Sequence, residues 1–390
     1  MSVSSGNRIE SQLLRKINER RLLDVIQHKG PLSRAAIARV SGLTAPTVSK
    51  AVDSLLKHGF IEEIDPPEQL RGRPGKLVRM AVESAAVIGI SIDTHVCCVV
   101  SAGLDGGVTE ARTRRFVTPS TYDALIDDLE SRCRELLDDI PGRMHGIGVC
   151  APGLVNERLG EIVFCPNLHL LDKRNPARDL EARLAVKAVL LQEIDGLCLS
   201  EWMYGVARSL NDFALLDVSI GLGMGVMCSG RLLGGRSGMA GELGHITVNP
   251  NGVRCGCGNH GCLETLATDT ALVRLISEKD GISRSLNEVA TALDERPSAY
   301  EHEVRTTSEY LAIAIAAAIN ICNPTMLFVH GTLLVANEER FARVLELVKN
   351  RTLTASLAEC TIVPTKSSKR QAAIAGIMHH LTSDWAPAIP

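Results

Sequence analysis

Apolar residues recur at helical spacing near the start of the chain. Leu13, Leu14, Ile17, Leu22, Val25 and Ile26 fall on that period, and Gly30-Pro31 ends the helix they predict. Ser33 is placed to cap a short second helix, Arg34 to Val40, and Ser41-Gly42-Leu43 predicts a tight turn. Thr44 caps a third helix with Pro46 in its first turn, where a missing N–H costs nothing. Val48, Val52 and Leu55 share the inner face of that helix; Gly59 stops it and Phe60–Ile64 begins a strand. Helix, helix, turn, helix, strand is the order of a winged helix-turn-helix, whose third helix enters a DNA major groove N-terminus first. Its outward positions would be Thr44, Ala45, Thr47, Ser49 and Lys50, small or flexible polar groups that can approach base edges and phosphates. In the following wing, Arg71 and Arg73 flank a glycine and precede Pro74, a slim cationic tip suited to a minor groove or its phosphates. The bland alternatives are a three-helix protein-interaction module and a plain surface turn.

Beyond residue 85 the pattern changes to apolar strands separated by glycine turns and amphipathic helices. Val87–Ile92 and Cys97–Ala102 predict a hairpin, Tyr122–Leu137 a helix, His145–Cys150 and Ala188–Gln192 buried strands. A second set follows: strands over Phe213–Ile220 and Gly225–Ser229 and around Ile246, a long helix Thr306–Ile321, and a strand Met326–His330. Two similar beginnings of alternating strands and helices predict an α/β protein of two lobes with a cleft between them.

Charge sharpens this division. Residues 1–80 hold 14 Lys and Arg against 8 Asp and Glu, whereas the remainder holds 28 against 37, so a basic head precedes an acidic body and only the head is suited to a polyanion. The first residues, MSVSSGNRIESQLLRK, contain no apolar signal core, and no apolar run reaches the length of a membrane span, so a cytoplasmic protein is expected. Disulfides rarely persist there. Nine of the twelve cysteines, Cys228, Cys322 and Cys360 among them, are scattered through apolar stretches and read as buried core residues.

The remaining three are clustered. GELGHITVNPNGVRCGCGNHGCLE contains His245, Cys255, Cys257 and Cys262, three thiols and an imidazole of the kind that closes a tetrahedral structural zinc site. Gly256, Gly258 and Gly261 allow the tight turns that bring such near neighbours together. His260 lies inside the knot and reads as a bystander. Glu242 and Glu264 flank the knot and are suited to accept hydrogen bonds from sugar hydroxyls, although spacing alone would equally fit solvated surface carboxylates.

The stretch SRAAIARVSGLTAPTVSKAVDSLLKHGFIEE, followed by RGRPGKL, resembles the DNA-binding head of NagC/Mlc/XylR-like regulators. Gly241-Glu242-x-Gly244-His245 with Cys255-x-Cys257-Gly258-x-x-Gly261-Cys262-x-Glu264 resembles the signature of the ROK (repressor, open reading frame, kinase) family. Ala151-Pro152-Gly153, Pro166-Asn167-Leu168, Gly221-x-Gly223-x-Gly225 and Asn323-Pro324 add to that likeness. The resemblance implies an actin-like, ribonuclease-H-like pair of lobes behind an α+β winged helix. The division it implies is 1–82 for the head, 83–200 for lobe 1, 201–366 for lobe 2 with the zinc motif, and 367–390 for a C-terminal helix packing back on lobe 1. It further implies sugar contacts at Gly153, Asn167, Glu242, His245 and Glu264.

The same resemblance aligns a kinase's catalytic Asn-Asp pair with Gln192-Glu193, retained here as sugar partners but one methylene too long for a well-placed general base. The phosphate-handling Asp-x-Gly-Gly-Thr turn of ROK kinases corresponds to Ser91-Ile92-Asp93-Thr94-His95, where bare backbone is replaced and a negative charge added. The resulting expectation is a DNA-binding regulator with a degenerate kinase site, probing a sugar or sugar phosphate and acting as a repressor of carbohydrate genes. It would act as a homodimer or homotetramer on an inverted-repeat operator in double-stranded DNA. The alternative is an ATP-dependent sugar kinase carrying a DNA-binding head.

Overall fold

Three helices pack first. In the computed structural model, which describes residues 3–66, 75–140, 142–365 and 367–385, α1 (Val3–Lys29), α2 (Arg34–Ser41) and α3 (Ala45–His58) enclose Leu22, Leu23, Ile26, Ile37, Val48, Val52 and Leu55, all buried. Ser33 caps α2, its hydroxyl accepting from the Ala36 N–H at 3.2 Å. Thr44 precedes α3 in an extended conformation but makes no side-chain cap; its hydroxyl pairs with that of Thr47 at 2.9 Å instead. Strands β1 (Leu32–Ser33), β2 (Ile61–Ile64) and β3 (Leu77–Met80) form a small sheet ordered β1-β3-β2, so β2 and β3 are the flanks of the wing. Helix α1 begins well before the periodic stretch, and Leu13 and Leu14 are exposed rather than packed: the core of the head stops at the helical turn of Leu22.

The chain forms two compact units. The first comprises residues 1–152, 170–204 and 368–390, so the head does not separate from the lobe that follows it. Its larger sheet has the order β10-β7-β4-β5-β6, built from β4 (Ala85–Ser91), β5 (Val96–Ala102), β6 (Thr113–Val117), β7 (Arg143–Ala151) and β10 (Ala188–Gln192). The first three form an antiparallel meander; β7 and β10 then add in parallel beside β4. Helices α4 (Tyr122–Asp138) and α5 (Pro176–Leu184) make the crossovers, α6 (Glu193–Met203) follows β10, and α13 (Lys369–Trp385) packs against β4, β7 and α6. Close approach requires glycine here: a Cβ on Gly148 would stand 2.0 Å from the Ala373 carbonyl oxygen of α13.

The second unit comprises residues 153–169 and 205–367. The hairpin β8 (Leu154–Asn156) and β9 (Glu161–Phe164) belongs to it. Its main sheet repeats the strand order of the first, β13-β12-β11-β14-β15, from β11 (Phe213–Asp217), β12 (Gly223–Cys228), β13 (Arg231–Leu232), β14 (Met326–His330) and β15 (Thr361–Pro364). Again a three-strand antiparallel meander is extended by two parallel strands. Helices α7 (Glu264–Ala267), α8 (Asp269–Asp280), α9 (Leu286–Glu295), α10 (Glu301–Cys322), α11 (Glu338–Lys349) and α12 (Thr354–Glu359) complete it. The apolar core gathers Leu216, Leu272, Leu293, Ile315 and Phe341 from five of these elements. The segment around Ile246 is not a strand: a single 3-10 turn covers Leu243–His245 and Ile246 is exposed. Cys228 is exposed, and Cys322 and Cys360 are only half-buried, because each sits at the end of an element rather than within a sheet. Among the described residues no helix is long and apolar enough to cross a membrane.

Candidate functional site

The loop from Gly241 to Glu264 has almost no regular structure. Two isolated bridges stitch it, Thr247 with Cys262 and Arg254 with His260, and Gly261 closes it at φ 63°, where a Cβ would meet the Asn249 carbonyl oxygen at 1.5 Å. The result is convergence: the ligand atoms of His245, Cys255, Cys257 and Cys262 all lie within 4.8 Å of one another. His245 Nδ1 is 3.7 Å from Cys255 Sγ, and Cys257 Sγ is 3.7 Å from Cys262 Sγ. Zinc–sulfur bonds of about 2.3 Å put tetrahedral ligands about 3.7 to 3.8 Å apart, the separation of these two pairs, so the group is spaced to hold a tetrahedral metal ion. His260 is exposed and stands outside the group.

Two carboxylates and an amide surround this knot. Glu264 Oε1 lies 2.8 Å from Cys255 Sγ and 3.6 Å from His245 Nδ1, while its Oε2 accepts from the Leu222 N–H at 3.5 Å. Glu242 reaches the other side of the same imidazole, with Oε2 3.7 Å from Nε2. The ring thus turns Nδ1 toward the thiols and Nε2 toward Glu242. Asn167 borders the same space: a Cβ added to Gly221 would be 3.0 Å from Glu264 Oε2 and 3.9 Å from Asn167 Nδ2. Gly153, at φ 93°, lies against Phe164 and Cys165 of the β8–β9 hairpin, where a Cβ would come within 2.7 Å of the Phe164 carbonyl oxygen. Asn167, Glu242, His245 and Glu264 are therefore assembled within one unit, with Gly153 in its hairpin.

Gln192 and Glu193 belong to the other unit, at the junction of β10 and α6. Sequence reasoning missed their neighbour. Lys369, the first residue of α13, places its ammonium 2.8 Å from Glu193 Oε1 and 3.0 Å from Asp93 Oδ2. The other oxygen of Asp93 accepts from the His95 N–H at 3.3 Å and the Thr94 hydroxyl at 3.2 Å. No local signal pairs Lys369 with residues so distant in sequence.

Two more buried carboxylates were unmarked by any motif. Asp217, at the end of β11, accepts from the Ser219 hydroxyl at 2.7 Å and its N–H at 3.0 Å, and meets His330 Nδ1 at 2.9 Å. Asp269 accepts from the N–H groups of Thr332 at 2.6 Å and Leu333 at 3.0 Å. Burial pushes the Asp269 carboxyl up to about 6, against the opposing pull of those two N–H groups.

In the head, Thr44, Ala45 and Lys50 of the third helix are exposed, and Thr47 and Ser49 are half-buried. Ser49 is engaged: Arg34 Nη1 donates to its hydroxyl at 3.1 Å while pairing with Asp53 at 2.8 Å, and Arg34 Nη2 pairs with Glu63 at 3.0 Å. Arg71 and Arg73 lie outside the described residues. The C-terminal end of α3 rests on β7, where Arg143 Nη1 donates to the His58 carbonyl at 3.3 Å and the Phe60 and His145 rings are 4.9 Å apart.

Comparison with known proteins matches this organisation. The DNA-binding transcriptional dual regulator NagC of Escherichia coli (strain K12) is 27% identical over 379 residues, covering 92% of this chain and 91% of NagC. The xylose repressor of Bacillus subtilis (strain 168) is 26% identical over 328 residues, 83% of this chain and 84% of its own. A crystal structure of a ROK family transcriptional regulator, homolog of E. coli MLC protein, superposes with a TM-score of 0.79 at 23% identity, covering 95% of this chain and 97% of that one. A ROK family glucokinase from Streptomyces griseus, in complex with glucose and AMPPNP, gives 0.62 at 19% identity, covering 75% of this chain and 98% of the enzyme. The fold class is thus an actin-like α/β body behind a winged helix, and residues 16–72 match the MarR family model. The ROK family model matches residues 87–382, most of the chain, and the protein belongs to the ROK family.

Proposed function

We propose that the protein is a cytoplasmic, sugar-responsive DNA-binding transcription regulator, a repressor of carbohydrate genes, and not a kinase. The observation that carries this reading is the contrast between two sets of groups. Side chains suited to sugar hydroxyls, Glu242, Glu264 and Asn167, are gathered around the His245–cysteine knot. The N–H groups that could cradle a nucleotide's phosphates are instead taken by the chain's own carboxylates: His95 by Asp93, Ser219 by Asp217, Thr332 and Leu333 by Asp269. Lys369 further engages Glu193, the only carboxylate at the position of a kinase base in the family resemblance.

Zinc is the ion that three thiolates and one imidazole select, and His245, Cys255, Cys257 and Cys262 would hold it through His245 Nδ1. Bound there, it has a structural role, with four protein ligands and no open position. The sugar contacts are Gly153, Asn167, Glu242, His245 and Glu264, with Gln192 and Glu193 as further hydroxyl partners. His245 Nε2, on the side of the ring away from the thiols, is free to meet a hydroxyl alongside Glu242.

The DNA contacts are Thr44, Ala45, Thr47, Ser49, Lys50 and the wing residues Arg71 and Arg73. One winged helix reads few base pairs, so a homodimer or homotetramer on an inverted repeat supplies the rest. Lys50→Ala should weaken operator binding and lower the salt dependence by about one counterion, read as the slope of log affinity against log salt. An unchanged slope removes Lys50 from the interface.

The test of the whole reading is a thermal-shift panel of neutral and phosphorylated sugars, followed by operator anisotropy with the best ligand. A true effector at 100 times its Kd adds about 2.7 kcal/mol of stability. Glu242→Ala and Glu264→Ala should each leave a folded protein with its operator affinity yet abolish the sugar-dependent change in operator Kd. An operator response in either variant equal to that of the wild type overturns the sugar assignment. Sugar-dependent ADP release in a coupled assay overturns the exclusion of kinase activity.

A further inference from the structure

Lys369 sits where its own helix disfavours it. It opens α13, whose first turn carries no acidic residue, so the ammonium faces the positive end of the helix dipole. What holds it is the pair of carboxylates, Glu193 at 2.8 Å and Asp93 at 3.0 Å, with all three side chains largely covered. Glu193 in turn is the first residue of α6. One ion pair therefore joins the leading ends of two helices.

Those helices are packed almost without intervening side chain. A Cβ on Gly196 of α6 would stand 3.2 Å from Ala372 of α13, and one on Gly376 of α13 would stand 2.4 Å from Leu191 of β10, the strand that leads into α6. Nine residues after Glu193 comes Trp202, and ten after Lys369 comes His379, so each is roughly 14 to 15 Å along its helix. There they meet again: the Trp202 and His379 rings are edge to face with centroids 6.1 Å apart. The indole also meets the ring of His28 at 6.4 Å, in the last turn of α1. The two-helix pair thus begins at a proposed sugar contact and ends against the first helix of the DNA-binding head.

We infer that Lys369 is a positioning residue that ties Glu193 to the DNA-binding head: its ion pair fixes α6 against α13, and a sugar hydroxyl taken by Glu193 alters operator affinity through Trp202, His379 and His28. The chemistry is competitive. A hydroxyl donating to Glu193 shares an oxygen that otherwise faces the ammonium, and a close-packed helix pair passes a shift at one end to the other. The inference rests on Glu193 as a sugar contact only for the identity of the trigger, not for the tie itself.

The 390-residue chain has two tryptophans, so Trp385→Phe leaves Trp202 as the reporter. In that background Lys369→Gln should shift Trp202 emission and change operator Kd by about five-fold or more with no sugar present, while Lys369→Arg should stay near the parent. Glu193→Gln breaks the same contact from α6 and should give the same two changes, which serves if Lys369→Gln does not fold. Trp202→Leu should still bind the operator and the sugar chosen by thermal shift, but with the operator response to sugar lost. A folded Lys369→Gln or Glu193→Gln protein with parental emission and parental operator affinity overturns the tie. If the tie behaves as expected but the parent responds to no neutral or phosphorylated sugar, the tie stands and the sugar reading fails. If the parent responds and the tie is silent, the reverse holds.

Discussion

Stripped of metal by a chelator, or carrying Cys257→Ser or Cys262→Ser, the protein should lose sugar binding while keeping a folded, DNA-competent head. Apart from the ion, residues 241–264 are held by one 3-10 turn, two isolated bridges and short-range backbone hydrogen bonds such as Val248 N–H to the Gly261 carbonyl, with Ile246 and Val253 exposed where a core would be. Leu243, Cys255, Cys262 and Leu263 are its fully buried apolar residues, and Val248 packs partly against the core. A closed thiolate–imidazole zinc site contributes on the order of 10 kcal/mol of apparent binding free energy, far more than these few contacts. Losing it frees Glu242, His245 and Glu264, the groups proposed to meet the sugar. The head belongs to the other unit and packs on β7 and α13, so its own core is untouched. The expected readings are one zinc per chain by elemental analysis, about none in the serine variants, and loss of amide-exchange protection confined mainly to 241–264. Full protection and sugar binding in metal-free protein would mean that the loop stands without the ion.

Sequence carried the head and the knot for different reasons. The head was legible because its helices follow a simple period broken by Gly42 and Gly59, both of which adopt positive φ at the helix ends. The His–Cys cluster that could hold a metal was legible because its four residues fall within eighteen residues of chain. Strands Ala188–Gln192 and Met326–His330 read true as short apolar runs. By contrast, Asp217, Asp269 and Lys369 take their meaning from partners more than sixty residues away, which no local pattern encodes. The strand expected around Ile246 failed because the residues there belong to the irregular loop that carries the His–Cys cluster. Cys228, Cys322 and Cys360 failed as core residues because an apolar neighbourhood along the chain does not place a side chain inside the fold.

Acid should loosen the junction between head and body before it loosens either core. His379 of α13, against Trp202 of α6, has its imidazole pushed down to about 4, first by burial and then by the charges of Arg20 and His380. Its folded pKa lies below the unfolded value of 6.5, so the unfolded chain binds the proton more tightly. The stability contributed by the neutral ring is therefore complete above pH 6.5 and is lost as pH falls toward 4. At about 1.36 kcal/mol per pKa unit the whole loss is roughly 3 kcal/mol. His145, under Phe60 at the other head contact, is shifted in the same direction by burial and Arg143, so both junctions weaken together. His379→Phe keeps an aromatic ring beside Trp202 and removes the proton site. Unfolding free energies from urea titrations between pH 7 and pH 4 should fall less in the variant than in the wild type, by up to roughly 3 kcal/mol. Parallel curves for the two proteins would show that His379 titrates normally and that the junction carries no acid switch.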